Sequence, residues 1–181
     1  MVPKTEVELL MKLWTMPSLH DMEAQHLKEL ASIATEVEFP AGEIVYHEGD
    51  AGQAIYLIEE GQVLIEMSLP DGSQVTVLTL GPGHLFGWSS LFPPRRKTAS
   101  VRTITPTKVI SIDAVRLQYL FQLDHSLEHV MMMRMIDVVA ERMKATRQLL
   151  ANALTQVTKD NCRNTTMNKL KPIPVSRSEG V

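Results

Sequence analysis

The chain has 181 residues, 44% apolar and 22% charged, with 9 Gly and 10 Pro. This suits one domain with extensions and excludes collagen-like, wholly disordered and disulfide-scaffold proteins. Its 18 basic and 21 acidic residues give a net charge of −3, too balanced for the whole surface to bind nucleic acid. The single Cys162 forms neither an internal disulfide nor a cysteine metal site. No apolar run is long enough to span a membrane, and the first 14 residues lack a secretory core, so a cytoplasmic protein is expected.

Residues 1–35 have helical periodicity. Val7, Leu10, Met11 and Trp14 recur at helical spacing up to Pro17, and Ser18-Leu19-His20-Asp21 has the form of a capping box for a second helix. Met22, His26, Leu27, Leu30, Ile33 and Ala34 form the apolar side of that helix. From Phe39 the period changes to short strands: Glu43–His47, Ala54–Glu59, Gln62–Leu69, Gln74–Leu80, Thr98–Thr105 and Lys108–Ile112. Asp71-Gly72 between two of them is a hairpin signal, and the rhythm predicts an all-β sandwich or barrel. The β core with its hinge helix is expected over residues 36–123. In Asp113–Leu123, Val115, Leu117, Leu120 and Phe121 are expected to face the sheet.

Asp124 to about Val157 lacks Pro and Gly, and some 30 residues of helix potential predict a helix about 45 Å long, more than a small barrel covers. Ile136, Val139, Met143, Thr146, Leu150, Ala153 and Val157 are spaced 3-4-3-4-3-4, the pattern of a coiled-coil seam, and predict a homodimer through residues 136–157. Packing of this helix along its own barrel is the alternative. Residues 158–181 are polar, with five basic and two acidic side chains, and are expected to be a flexible tail. They are too few for a DNA-binding helix-turn-helix, although the tail's cations allow weak, salt-sensitive attraction to nucleic acid or acidic lipid.

The chemistry concentrates in Gly81–Val101. A glycine-rich approach leads into a short turn, Trp88–Leu91, then Pro93-Pro94 and the cations Arg95, Arg96 and Lys97, before Thr98-Ala99-Ser100 opens a strand. Exposed amides at such a turn favour negative charge. With the three cations and the Thr98 hydroxyl across from them, they would form an anion pocket.

Phe39-Pro40-Ala41-Gly42-Glu43-Ile44-Val45-Tyr46-His47-Glu48-Gly49-Asp50, followed by Ala54-Ile55-Tyr56-Leu57-Ile58-Glu59-Glu60-Gly61, resembles the opening of a cyclic nucleotide-binding domain. The resemblance runs from about Leu19 to Val157. It implies helices before an eight-stranded β-roll of jelly-roll topology, a phosphate-binding cassette, a hinge helix, and the long dimer helix of CRP/FNR-type bacterial regulators. Members typically carry F-G-E-L-A-L and then R-[AST]-A-[TS]-V, the glutamate holding the ribose hydroxyl and the arginine the cyclic phosphate. Here the segments are Phe86-Gly87-Trp88-Ser89-Ser90-Leu91 and Lys97-Thr98-Ala99-Ser100-Val101, so Trp88 replaces the glutamate and Lys97 the arginine. Indole N–H only donates and cannot accept from ribose, and lysine holds phosphate as a point charge rather than a fork. The Phe-Gly-Trp-Ser form resembles a subgroup of CRP/FNR-like sensor domains.

The resemblance implies a non-enzymatic regulatory sensor for a small anionic ligand, with cyclic AMP or cyclic GMP as the candidates, signalling to a protein effector through its dimer helix. The implied ligand residues are Phe86, Gly87, Trp88, Ser89, Ser90, Arg95, Arg96, Lys97, Thr98, Ala99, Ser100 and, from the long helix, Arg142, with Thr146 near the same turn. A ligand-free dimerisation scaffold with Trp88 filling the pocket is the alternative, and a cupin-type metalloenzyme is a further one. Cupins need His-x-His, which is absent. His125 and His129 are spaced for zinc on a helix but lack a third ligand. Met131–Met133, Met135 and Met143 fit a core or a dimer seam better than a soft metal site.

Overall fold

A computed structural model describes residues 5–169 of the chain. Eight antiparallel strands form two four-stranded sheets, ordered β1-β8-β3-β6 and β2-β7-β4-β5. They are β1 (Ala34–Phe39), β2 (Ile44–Tyr46), β3 (Ala54–Glu60), β4 (Val63–Ser68), β5 (Gln74–Leu80), β6 (Leu85–Phe86), β7 (Ser100–Thr103) and β8 (Thr107–Asp113). The helices are α1 (Glu6–Thr15), α2 (Ala24–Ser32), α3 (Ala114–Leu123) and α4 (His125–Lys169), with 3₁₀ turns at Pro17–Leu19 and Trp88–Leu91. This is the expected β-roll with flanking helices and a long C-terminal helix. The chain falls into two compact units, one ending at Met143 and the other beginning at Lys144, so their boundary lies within α4.

Strand β3 is apolar from Ala54 to Ile58, and β8 contributes Val109, Ile110 and Ile112, because both faces of these strands are covered. Ile55, Leu57, Ile110 and Ile112 pack beneath the helices with Leu13, Leu30, Leu117 and Leu127, while Ile58 and Val109 turn into the roll beside Val63, Ile65, Phe86 and Val101. The β4–β5 hairpin closes at Asp71-Gly72 as expected. The Asp71 carboxylate accepts from the Ser73 amide and hydroxyl at 2.9 and 2.6 Å, which holds it below its ordinary carboxylate value. Asp124 ends α3 and caps α4, its carboxylate accepting from Ser126 N at 2.8 Å and Leu127 N at 3.2 Å.

The structure corrects several expected boundaries. Ser18 lies inside a 3₁₀ turn and caps nothing; α2 starts at Ala24, and the capping box belongs to α1, between Thr5 and Glu8. On α1 the stripe Val7, Met11 and Trp14 faces outward, at 68%, 63% and 56% exposure, and Leu9 and Leu13 supply the buried face. Val115 likewise faces solvent, whereas Leu117 and Phe121 are buried. Helix α4 continues to Lys169, past the expected end at Val157. Residues 158–169, Cys162 among them, are therefore helical rather than a flexible tail. No Pro or Gly interrupts the chain before Pro172. The remainder of the expected tail lies outside the described residues.

Candidate functional site

Strand β6 ends at Gly87, which adopts φ 79° and ψ 13° and turns the chain into the 3₁₀ turn Trp88–Leu91. A Cβ there would stand 3.0 Å from both Ala54 O and Lys97 Nζ, so the left-handed bend and the close approach both call for glycine. Ser90 reaches back into this corner, its Oγ 2.8 Å from Ala54 O and 2.8 Å from Gly87 O.

Across from the turn, the three consecutive cations do not converge. Residues alternate sides along the extended segment entering β7, so Lys97 and Ala99 point into the roll while Arg96 and Thr98 face solvent. Arg95, at φ 56°, donates to Gln118 Oε1 at 2.6 Å, and Arg96 donates to Gly49 O at 2.8 Å. Ser100 is buried but is occupied in accepting from the Glu48 amide at 2.9 Å. The expected pocket of three cations and the Thr98 hydroxyl thus reduces to one ammonium.

Lys97 is buried, retaining 4% exposure. Its Nζ donates to Ser90 Oγ at 2.7 Å and Ala54 O at 2.9 Å, and lies 3.5 Å from Gly87 O. It also rests 4.2 Å from the Tyr46 ring centroid and 5.3 Å from that of Tyr56, a cation–π arrangement. Tyr46, Tyr56 and Phe86 form a ring cluster with centroids 5.0 to 6.2 Å apart. Burial lowers the Lys97 amine to about 8, against the raising influence of Asp50. Burial pushes both phenols up, Tyr46 the further. Arg142 on α4 is charge-coupled to Tyr46 and is itself held below its ordinary value by burial. Tyr46, Tyr56 and Ala54 were not foreseen as site residues. Their signal in the sequence is the two tyrosines interrupting otherwise aliphatic strands, Ile44-Val45-Tyr46 and Ile55-Tyr56-Leu57.

Trp88 leaves the roll altogether. Its ring meets Phe92 edge-on at 6.0 Å and packs against the helical core, and its buried Nε1 has no hydrogen-bond partner among the described residues. With Met132, Met135, Ile136, Val139 and Met143 of α4 it lines an apolar surface groove of about 550 Å³. The indole therefore lies beside Phe92 and α4 rather than inside the roll. The cassette turn has two working sides: Gly87 and Ser90 on the ammonium, Trp88 on α4. Among the described residues no cluster of three His, Cys, Asp or Glu could hold a metal, and no helix is long and apolar enough to cross a membrane.

Residues 36–124 match the family model described as Cyclic nucleotide-binding domain. A CRP-like cAMP-activated global transcriptional regulator of Mycobacterium tuberculosis is 31% identical over 118 residues, 65% of this chain. The alignment spans about half, 51%, of that relative's own length. The N-terminal domain of a transcriptional regulator from Streptomyces coelicolor superposes with a TM-score of 0.58 at 27% identity, covering 77% of this chain and 94% of that one. A cyclic nucleotide-binding domain from Methylobacillus flagellatus gives a TM-score of 0.68 over 81% of this chain and 83% of its own; at 20% identity the likeness is one of fold.

Proposed function

Residues 36–124 belong to the cyclic nucleotide-binding domain family, of the CRP/FNR type, and on that premise we propose that the chain is a non-enzymatic, cytoplasmic regulatory module. It takes a small anionic ligand of nucleotide type, cyclic AMP or cyclic GMP, at the cassette. The observation that carries this reading is the buried Lys97 ammonium, held by neutral oxygens of the cassette turn and β3.

A charged oxygen makes a shorter and roughly twice as strong bond to an ammonium as a carbonyl does. An arriving anion would therefore draw Nζ away from Ala54 O and Gly87 O and free the Ser90 hydroxyl from the ammonium. Phe86, Gly87, Ser89, Ala99 and Ser100 would form the wall of that site, Arg142 would close its end beside Tyr46, and Arg95, Arg96 and Thr98 would stay at the rim. Because Trp88 belongs to the same turn, any shift of Gly87–Ser90 moves the indole against α4. Coupling of this kind needs only differential ligand affinity for two arrangements of the turn.

The output runs through a homodimer formed along residues 136–157. In the first unit Ile136 and Met143 are each 57% exposed beside the Trp88 groove; in the second, Leu150 and Val157 are 60% and 59% exposed. A second copy's α4 laid along this row would cover it and carry the change to an effector. Calorimetric titration with cyclic AMP and cyclic GMP tests the ligand. Binding by the parent and at least about tenfold weaker binding by Lys97→Met, the equivalent of about 1.4 kcal/mol, is expected; absence of binding by the parent to either nucleotide overturns the ligand assignment.

A further inference from the structure

Two helices of the first unit turn rows of large apolar side chains to solvent. On α1 the row is Val7, Met11 and Trp14; on α3 it is Val115, Tyr119 and Leu123, at 65%, 61% and 66% exposure. With 3.6 residues per turn, the α1 row lies within an arc of about 60° and the α3 row within about 80°, over about 10 and 12 Å of helix. Scattered exposed apolar residues need no explanation, but a continuous row on each of two helices marks an interaction surface.

The charges on the flanks distinguish the two rows. Glu6 and Glu8, both exposed, stand about 100° to either side of Val7, so the α1 row has a carboxylate on each side. The other charged residue of α1, Lys12, is engaged by Glu36 and Glu59. The α3 row has positive charge on both sides. Arg116, exposed and the only charged residue within α3, borders it on one side. Gln118 borders it on the other and holds the Arg95 guanidinium there, accepting at 2.6 Å. The carboxylates at the two ends of α3, Asp113 and Asp124, accept from backbone amides of α3 and α4.

Two α1 rows face to face would set carboxylate against carboxylate, and two α3 rows guanidinium against guanidinium, so each like pairing is opposed. An anionic bilayer would be repelled by the flanks of α1. An α1 row on an α3 row joins unlike charges and covers apolar surface of matching length.

We propose that the chain associates with a second copy of itself through these unlike faces, α1 of one copy lying on α3 of the next. With the helices parallel, Val7, Met11 and Trp14 meet Val115, Tyr119 and Leu123, and Glu6 and Glu8 stand at the end that carries Arg116. Repeated head to tail, the contact adds copies beyond a pair formed along α4. Gln118 also donates to Leu91 O at 2.8 Å, so the contact bears on the Trp88–Leu91 turn, although the pairing itself does not rest on what the cassette binds. Three large side chains on each face are far fewer than the roughly 20–30 residues a side of a stable interface. The contact is therefore weak, with a Kd of about 0.1–1 mM, and is unpopulated at low micromolar concentrations.

Sedimentation equilibrium of the full chain from about 10 µM to about 1 mM tests this, in the Ile136→Asp/Met143→Asp background so that pairing along α4 plays no part. Weight-average mass is expected to rise above its value at about 10 µM, and the rise to shrink at high salt. Met11→Asp and Tyr119→Asp, each with the circular dichroism of its parent, hold the mass at that starting value. An equimolar mixture of the two associates again, because the intact α1 of the Tyr119→Asp chain meets the intact α3 of the Met11→Asp chain. Arg116→Glu weakens association about fivefold or more. A mass that never rises overturns the proposal, as does association that survives either apolar variant, a mixture that stays apart, or affinity untouched by Arg116→Glu. Binding to vesicles of phosphatidylcholine and phosphatidylglycerol that Met11→Asp abolishes assigns the α1 row to a bilayer and overturns it as well.

Discussion

Lys97 is one of three neighbouring cations, yet only it turns inward, and its consequences are measurable without any ligand. Burial holds its amine at about 8 against an ordinary 10.5. Between those values the unfolded chain keeps a proton that the folded chain has lost, so this group's contribution to folding stability rises with pH across that window. Below pH 8 the full cost of keeping the ammonium buried applies, about 3 kcal/mol by the size of the displacement. Lys97→Met removes the dependence. The stability difference, variant minus parent, measured by denaturant unfolding from pH 7 to 10.5, is therefore expected to be flat up to about pH 8 and then to fall by about 3 kcal/mol. A difference that stays level across the range contradicts a buried, desolvated ammonium.

At the scale of elements, the strands legible in the sequence are those with apolar runs bounded by Gly, Pro or Asp. Strand β1 escaped notice because Thr35-Glu36-Val37-Glu38 mixes charge into the run, and β6 because two residues carry no period. Helix α4 was foreseen, but polar composition was taken to end it at Val157, whereas it runs on to Lys169. The Ser18–Asp21 motif misled for a different reason: Asp21 is engaged by Arg134 across the fold, a tertiary contact that spacing does not reveal. The row predicted for α4 is exposed at Ile136, Met143, Leu150 and Val157, and burying such side chains is worth about 1.5–3 kcal/mol each. Ile136→Asp combined with Met143→Asp is expected to convert a dimer to a monomer in light scattering while circular dichroism stays that of the parent. A parent that is monomeric at every concentration tested contradicts the dimer.

Across the whole molecule, the position of the cassette could be inferred from the order of glycines, cations and hydroxyls, but its orientation could not. Neither the outward turn of Trp88 nor the enclosure of Lys97 by Tyr46 and Tyr56 follows from spacing, because each depends on contacts with distant elements, Trp88 with Phe92 and α4 and Lys97 with β2 and β3. The central claim is that ligand at Lys97 moves the turn that carries Trp88. The chain has two tryptophans, and Trp14, 56% exposed on α1, can be replaced by Phe to leave Trp88 as the reporter. Titrating cyclic AMP and cyclic GMP into Trp14→Phe while recording indole emission tests that claim most directly. A saturable change in the emission of Trp88, abolished by the further change Lys97→Met, is the predicted result; emission unmoved by either nucleotide, or moved equally without Lys97, contradicts it.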